Sequence, residues 1–165
     1  MVNQRRGYSL VELMVVSAIV AVIASLGSTL YIKMNTFFRV SIAKIETQRD
    51  VRNLMELITR EIRQAKSSQI SLSQENASQP PYSKITFQNM RGDRVLFWQS
   101  GRTLTMNKNG QTTLLSKDLR SIFFSYPSTD NPNLITVLLS IEKTAEAKKT
   151  YALQMGGETI RLLND

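Results

Sequence analysis

The hydrophobic pattern of the chain begins with a long apolar run. Residues 13–32, LMVVSAIVAVIASLGSTLYI, are twenty residues without a charge, and Lys33 ends the run. As a helix rising about 1.5 Å per residue, they cover about 30 Å, the thickness of a membrane's hydrocarbon core. Arg5 and Arg6 precede the run and favour a cytoplasmic N-terminus. We therefore expect a transmembrane helix over residues 8–33, with the rest of the chain outside the cytoplasm.

An apolar stripe of helical period follows. No strong helix breaker stands between residues 33 and 66, so an amphipathic helix is expected over residues 34–66. Glu56 and Arg60 are four residues apart, which predicts a weak ion pair. The stripe is expected to pack on the protein's own sheet. It consists of Val51, Leu54, Ile58, Ile62 and Ala65.

The pattern then changes to a period of two. The polar stretch 67–83, SSQISLSQENASQPPYS, is predicted to be the loop that ends the helix. The turn signals MRGDR and NKNG predict hairpins, and residues 67–165 are predicted to form a β-rich domain. The fold class is therefore α+β, with the helix on one face of an antiparallel sheet. The alternating sets are Ile122, Phe124 and Tyr126; Ile135, Val137, Leu139 and Ile141; and Tyr151, Leu153 and Met155.

The composition limits the catalytic and metal-binding functions that the chain could have. The 165 residues include no cysteine and no histidine, which excludes disulfides and removes the commonest general base and metal ligand. Serine and lysine show no spacing typical of a nucleophile and its base, so we expect no catalysis and no cofactor. The stretch STDNPN, with Asp130, Asn131 and Asn133, is interpreted as a turn and not a calcium site, so no metal is predicted. Trp98 is interpreted as a core residue.

Glu12 is the residue that this pattern does not explain. A carboxylate at the head of an apolar segment costs on the order of 2–3 kcal/mol, so it indicates a function. An ordinary secretory signal, cleaved after Gly27 in SLG, and a plain membrane anchor are two simple interpretations of the apolar run. Neither accounts for Glu12, and neither requires Gly7.

The stretch RRGYSLVELMVVSAIVAVIA resembles the signal of type IV prepilins and type II secretion pseudopilins. In that family a short basic leader ends in glycine, and the fifth mature residue is a glutamate. The resemblance implies a leader over residues 1–7, cleavage after Gly7, N-methylation of Tyr8 and an assembly role for Glu12. The family usually has phenylalanine where this chain has Tyr8. The retained ring favours cleavage, while the efficiency of methylation stays open.

The resemblance gives Glu12 a physical role. Cleavage after Gly7 would create a charged amine at Tyr8, and the Glu12 carboxylate of one subunit could meet the Tyr8 amine of its neighbour. A paired buried charge is tolerated where a lone one is not. Gly7, without a side chain, would let the backbone lie extended in a peptidase cleft.

A looser resemblance concerns the order of elements, with a helix ending in REIRQA before successive hairpins. It is similar to J-type minor pseudopilins and W-type minor pilins. The implied partners are other pilin-like subunits, the prepilin peptidase and the inner-membrane assembly platform. The implied location is the bacterial inner membrane, and after assembly a filament.

Two other functions stay open. The net charge of +8 motivates a nucleic-acid-binding pilin used in DNA uptake. Such a protein would need a basic stripe on its exposed sheet face, because phosphate contacts supply most of the affinity. The other alternative is an ordinary exported protein cleaved after Gly27.

Overall fold

The computed structural model describes residues 9–128, 133–146 and 150–163. Helix α1 spans Leu10–Arg63 and is the N-terminal element of these residues. The chain divides into two compact units between Arg39 and Val40. In the first unit the described residues are helical from Leu10 onward, while the second contains the rest of α1 and all the strands.

The strands of the second unit form two antiparallel sheets, and this confirms the predicted α+β fold. One sheet has five strands in the order β1-β2-β3-β4-β5, and the other has three in the order β6-β7-β8. A short 3-10 helix, Ser67–Gln69, precedes β1. The strands are β1 Ser71–Ser73, β2 Lys84–Gln88, β3 Arg94–Ser100, β4 Thr103–Lys108, β5 Gln111–Ser116, β6 Leu119–Ser125, β7 Leu134–Glu146 and β8 Thr150–Arg161.

The predicted stripe on α1 packs on these sheets. All five of its members are buried, and Met55 joins them in the core. The sheets contribute Phe87, Phe97 and Phe124, whose exposure is 1% or less. Thr47, one turn before the stripe, is also buried, and its hydroxyl donates to the carbonyl of Ala43 at 2.6 Å. A polar side chain can therefore lie in this core, because the helix backbone accepts its hydrogen bond.

The ion pairs of α1 differ from the prediction. Glu56 and Arg60 form no ion pair with each other among the described residues. Both are exposed, and the small Coulomb gain there does not offset the cost of ordering two long side chains. The pairs that form join α1 to strands instead. Glu61 pairs with Lys108 at 2.9 Å, and Asp50 pairs with Lys143 at 2.5 Å, which raises the pKa of Lys143.

Both predicted hairpin turns are confirmed. Between β2 and β3, the Oδ1 of Asn89 accepts hydrogen bonds from the amides of Arg91 and Asp93, both at 2.9 Å. Between β4 and β5, Asn109 and Gly110 have φ of +53° and +87°, the conformation that a tight hairpin requires. Asn109 also donates to Asp93 at 2.6 Å and Asn89 does so at 3.0 Å, which lowers the pKa of Asp93.

The stretch 67–83 is not wholly a loop. It contains the 3-10 helix and strand β1, which pairs with β2 through Leu72 opposite Ile85. The sequence did not predict this strand, because the exposed serines on both sides of Leu72 are typical of a loop. A single half-buried leucine is enough to set the strand against its neighbour.

The predicted alternating residues of β6 and β7 face the core, whereas those described on β8 face outward. Ile135, Val137, Leu139 and Ile141 of β7 are all buried, as are Ile122 and Phe124 of β6, while Tyr126 lies beyond the end of β6 and is 39% exposed. Leu153 and Met155 share a face of β8, but that face is exposed, and the side chain of Tyr151 lies outside the described part. On the opposite face of β8, Ala152 is buried and Gly156 lies so close to Val51 and Met55 of α1 that a Cβ there would clash.

The interpretation of Trp98 as a core residue is wrong. Along β3, Val95, Phe97 and Gln99 are buried, and Trp98 lies on the opposite face, where it is half-buried. Its partners in the neighbouring strands are Lys84 and Thr105. Strand period, and not residue size, decides which side of the sheet a side chain occupies.

The close approach of α1 and β8 gives a first prediction. A Cβ on Gly156 would lie 2.6 Å from Cγ1 of buried Val51 and 3.3 Å from Cγ of Met55. We expect Gly156→Ala to lower the free energy of unfolding by about 1–3 kcal/mol, the usual cost of overpacking. Denaturant unfolding of the full chain in detergent measures this loss.

Gly157→Ala is the matched control. A Cβ there would meet Cδ2 of Leu138 at 2.7 Å, but Leu138 is 46% exposed and can turn away. We expect its effect to be under half that of Gly156→Ala. Equal losses would mean that strand propensity, and not the contact with Val51, sets the cost.

Candidate functional site at the helix start

The residues around Glu12 form a capped helix start. The carbonyl of Ser9 accepts the first helical hydrogen bond from the amide of Leu13 at 3.1 Å. The Ser9 hydroxyl accepts from the amide of Val11 at 3.3 Å, and Oε2 of Glu12 accepts from the amide of Ser9 at 3.0 Å. This reciprocal arrangement is a capping box, which satisfies amides that a helix start otherwise leaves unpaired.

The capping box was readable from the sequence and was missed. Ser9 and Glu12 have the S-x-x-E spacing that precedes an apolar helix. The cap partly explains why a carboxylate is tolerated here, since the helix start carries a partial positive charge. It engages one carboxylate oxygen. The other, Oε1, has no hydrogen-bond partner among the described residues and is exposed.

The helix that follows presents its apolar side chains outward. From Leu10 to Ile32 the large apolar side chains are 53–75% exposed. An 18-residue window of α1 has a mean hydropathy of 2.4, and none of it is buried. By length and composition, α1 can therefore cross a membrane.

The serine and threonine hydroxyls between Leu13 and Ile32 all donate to carbonyls of the helix itself. Ser17 donates to the carbonyl of Met14 at 2.9 Å, and Ser25 donates to that of Val22 at 2.8 Å. Ser28 and Thr29 both donate to the carbonyl of Ser25, at 3.0 and 3.1 Å. In lipid an unpaired polar group costs several kcal/mol, so this arrangement suits a hydrocarbon environment.

The remaining predicted site residues lie mostly outside the described part of the chain. These are Arg5, Arg6, Gly7 and Tyr8, together with Asp130 and Asn131 of the turn. Asn133 is described, and its carbonyl accepts from the amide of Leu162 at 2.9 Å. Among the described residues, no group of three or more acidic side chains could hold a metal ion.

Residues 2–28 match the family model of the prokaryotic N-terminal methylation motif. The methylation motif supports a type IV pilin-like prepilin signal, and it covers Gly7, Tyr8 and Glu12. No curated protein and no solved structure matches the chain. The methylation motif and the apolar helix together fit a membrane-anchored pilin-like protein that is processed by prepilin peptidase and assembles with other pilin subunits.

The five-stranded sheet lacks the basic stripe that nucleic-acid binding would need. On the outward face of its described strands the cations are Lys84 and Arg94, and Lys84 pairs with Glu75 at 2.5 Å. Lys108 lies on the opposite face, where it pairs with Glu61 of α1. This face therefore offers one unpaired cation to a phosphate backbone, too few for the affinity that such binding requires.

Proposed function

We propose that the protein is a minor pilin or pseudopilin, a non-catalytic structural subunit of a type IV pilus or a type II secretion filament. The observation that carries this proposal is the methylation motif at residues 2–28, continuous with an exposed apolar helix that begins at Leu10. The minor class is favoured by the absence of cysteines, because many major pilins close a C-terminal disulfide loop. The order of helix and hairpins supports a J-type or W-type subunit.

In this proposal the prepilin peptidase cuts after Gly7 and the new amine of Tyr8 is methylated. The helix stays in the inner membrane with its N-terminus at the cytoplasmic side, and the β-rich domain lies outside the cytoplasm. Arg5 and Arg6 of the leader hold this orientation before cleavage. The subunit then enters a filament through contacts with other subunits and the assembly platform.

Glu12 guides the entry of the subunit. Its Oε2 caps the helix at Ser9, while Oε1 stays open to the Tyr8 amine of a neighbouring subunit. The contact buries both charges as a pair, and a wrong axial position would leave each of them alone in an apolar surrounding. Glu12 therefore sets the axial register of neighbouring helices.

Processing provides the test of the proposed function. When the chain is expressed with a prepilin peptidase, we expect a mature protein that begins at N-methylated Tyr8. Loss of the seven-residue leader from 165 residues leaves 158, and loss of Arg5 and Arg6 lowers the net charge from +8 to +6. Mass spectrometry of the purified chain measures the new terminus and the methyl group together.

Two glycines serve as a matched pair for this test. Gly7→Val is expected to block cleavage, because the peptidase requires the residue without a side chain. Gly27→Ala is expected to leave cleavage unchanged, since a Cβ there meets no atom within 4 Å. A mature chain that begins at Ser28 would overturn the proposal and indicate an ordinary secretory signal.

A further inference from the structure

A groove in the second unit runs between α1 and the outer edge of β8. Val51, Met55 and Thr59 of α1 form its floor and are at least 92% buried. Two adjoining cavities of about 500 and 610 Å³ make up the groove, and they share Arg52, Met55 and Glu158. We call this surface the arginine groove, because Arg52, Arg60 and Arg63 of α1 lie along it.

The wall of the arginine groove is a free strand edge. Strand β8 pairs with β7 alone among the described residues, so its other side carries backbone groups without a strand partner. Natural sheets protect such edges with lysine, proline or bulges. Residues 152–160, ALQMGGETI, contain neither lysine nor proline, and Glu158 is their single charge. Gly156 and Gly157 leave the backbone uncovered at the middle of this edge.

The charges along the groove are unbalanced. Arg63 approaches Glu158 at 3.6 Å, and Thr59 donates to the same carboxylate at 2.9 Å. Arg52 and Arg60 are exposed and have no ion-pair partner among the described residues. Glu56 is also exposed and lies between them, so three arginines and two carboxylates line the groove. The free cations therefore face a strand edge across an apolar floor, an arrangement that favours a carboxylate-bearing ligand.

The two walls run alongside each other in the same direction. Gly156 lies against Val51, Glu158 is bonded to Thr59, and the amide of Leu163 donates to the carbonyl of Arg63 at 3.1 Å. From Gln48 to Arg63 the helix rises about 22 Å. An extended chain covers that length in about six or seven residues.

We propose that the arginine groove binds an extended acidic segment of a partner protein, which adds to the free edge of β8 as a further strand. Carboxylates four residues apart on a strand are separated by about 13 Å. Arg52 and Arg60 are separated by about 12 Å along the helix axis, so both can be met by one face of the segment. Its other face would carry apolar residues beside exposed Leu153 and Met155 of the outer sheet surface.

Main-chain pairing with β8 supplies the affinity for such a segment, and the arginines supply the specificity. This surface does not involve the N-terminal segment, so the proposal does not depend on leader processing.

The test uses the full chain in detergent and labelled peptides as probes. The main probe is Val-Glu-Val-Thr-Val-Glu-Val, which has two carboxylates four residues apart on one face. One control replaces both glutamates with lysine. The second control keeps the glutamates and methylates alternate backbone nitrogens on the pairing edge, which preserves charge and prevents strand pairing. Fluorescence anisotropy is expected to show binding of the main probe and of neither control.

Charge-reversal variants locate the binding. Arg52→Glu with Arg60→Glu is expected to weaken binding of the main probe at least tenfold, and glutamine at both positions is expected to have a smaller effect. Arg94→Glu with Lys117→Glu changes net charge equally at exposed positions away from the groove and is expected to leave binding unchanged. Circular dichroism verifies that each variant is folded.

Several results would overturn the proposal. Equal binding of the N-methylated peptide would indicate a general polyanion site, and equal loss in the control variant would indicate a net-charge effect. Unchanged binding in the folded groove variants would place the site elsewhere. Association of the chain with itself, without binding of the peptide, would assign the edge of β8 to a second copy.

Discussion

Glu12→Val is expected to abolish incorporation of the subunit into a filament while it leaves membrane insertion and leader cleavage intact. Insertion should persist or improve, because a carboxylate that costs on the order of 2–3 kcal/mol at the head of the apolar segment is removed. Cleavage should persist because the peptidase acts at Gly7. Assembly should fail because the Tyr8 amine of a neighbour loses its partner and stays buried and unpaired. Quantifying processed subunit and crosslinked filament separately, beside wild-type partner subunits, measures both steps.

The capping box allows the charge of Glu12 to be separated from its hydrogen bond. Glu12→Gln keeps a side chain that can accept from the Ser9 amide, as in other capping boxes, but removes the charge. We expect it to fail in assembly like Glu12→Val. Ser9→Ala removes the hydroxyl that accepts from Val11, at a cost of about 1 kcal/mol in helix stability, and should still assemble.

Each of these variants can contradict the charge-pairing role. Assembly of Glu12→Gln at a wild-type level would show that the cap alone is needed. Loss of cleavage in Glu12→Val would make Glu12 a residue that the peptidase recognises. A subunit at the filament tip has no neighbour ahead of it, so crosslinks are to be scored at positions behind the tip.

The parts of the fold that sequence predicted correctly are those in which one physical effect dominates. The stripe through Ile58 and Ile62 is apolar at every core position, so burial determines its face. The Asn109-Gly110 turn requires positive φ at both residues, and few residue types allow that. The apolar run of α1 was equally clear, because length and absence of charge decide it.

The parts that sequence did not predict depend on two elements meeting. Leu153 and Met155 alternate like core residues, yet the close approach of α1 at Gly156 places them on the exposed face of β8. No pattern within β8 alone contains that distance. Trp98 is a different case, because alternation within β3 alone places it on the face opposite Val95 and Phe97, whereas its size favoured a core position.

The functional residues likewise include some that the sequence indicated and some that only the structure shows. Glu12 was indicated by the cost of a carboxylate at the head of the apolar run, whereas Gly7 and Tyr8 were identified by resemblance to prepilin signals, and the methylation motif covers all three. The S-x-x-E spacing of Ser9 and Glu12 also predicts the hydrogen bond from the Ser9 amide to Glu12, although the interpretation of Glu12 rested on its charge alone. The arginine groove was not predictable, since its arginines lie on α1 and its edge lies about a hundred residues later in β8.

A chain that begins at Val40 is expected to move completely from the membrane fraction to the soluble fraction and to keep its fold. The sequence predicted that the transmembrane segment ends at residue 33, whereas the compact units divide between Arg39 and Val40. Buried residues of α1 begin only at Thr47, so the core of the second unit stays intact in the shortened chain. Removal of the charge-free segment 13–32 removes the apolar surface that holds the full chain in lipid.

A chain that begins at Asn35 is the matched control, because it retains Phe37 and Phe38, which are 69% and 54% exposed. We expect both chains to unfold with the same free energy, and the longer one to self-associate through its two exposed rings. Light scattering after size-exclusion chromatography measures the self-association of the two chains. Ile58→Ala in the shorter chain should lower its free energy of unfolding by about 2–5 kcal/mol, because Ile58 is fully buried. If the Val40 chain aggregates or lacks a cooperative transition while the full chain is folded, residues before Val40 are needed for the fold. The division of the chain into an anchor and an independent domain would then be wrong.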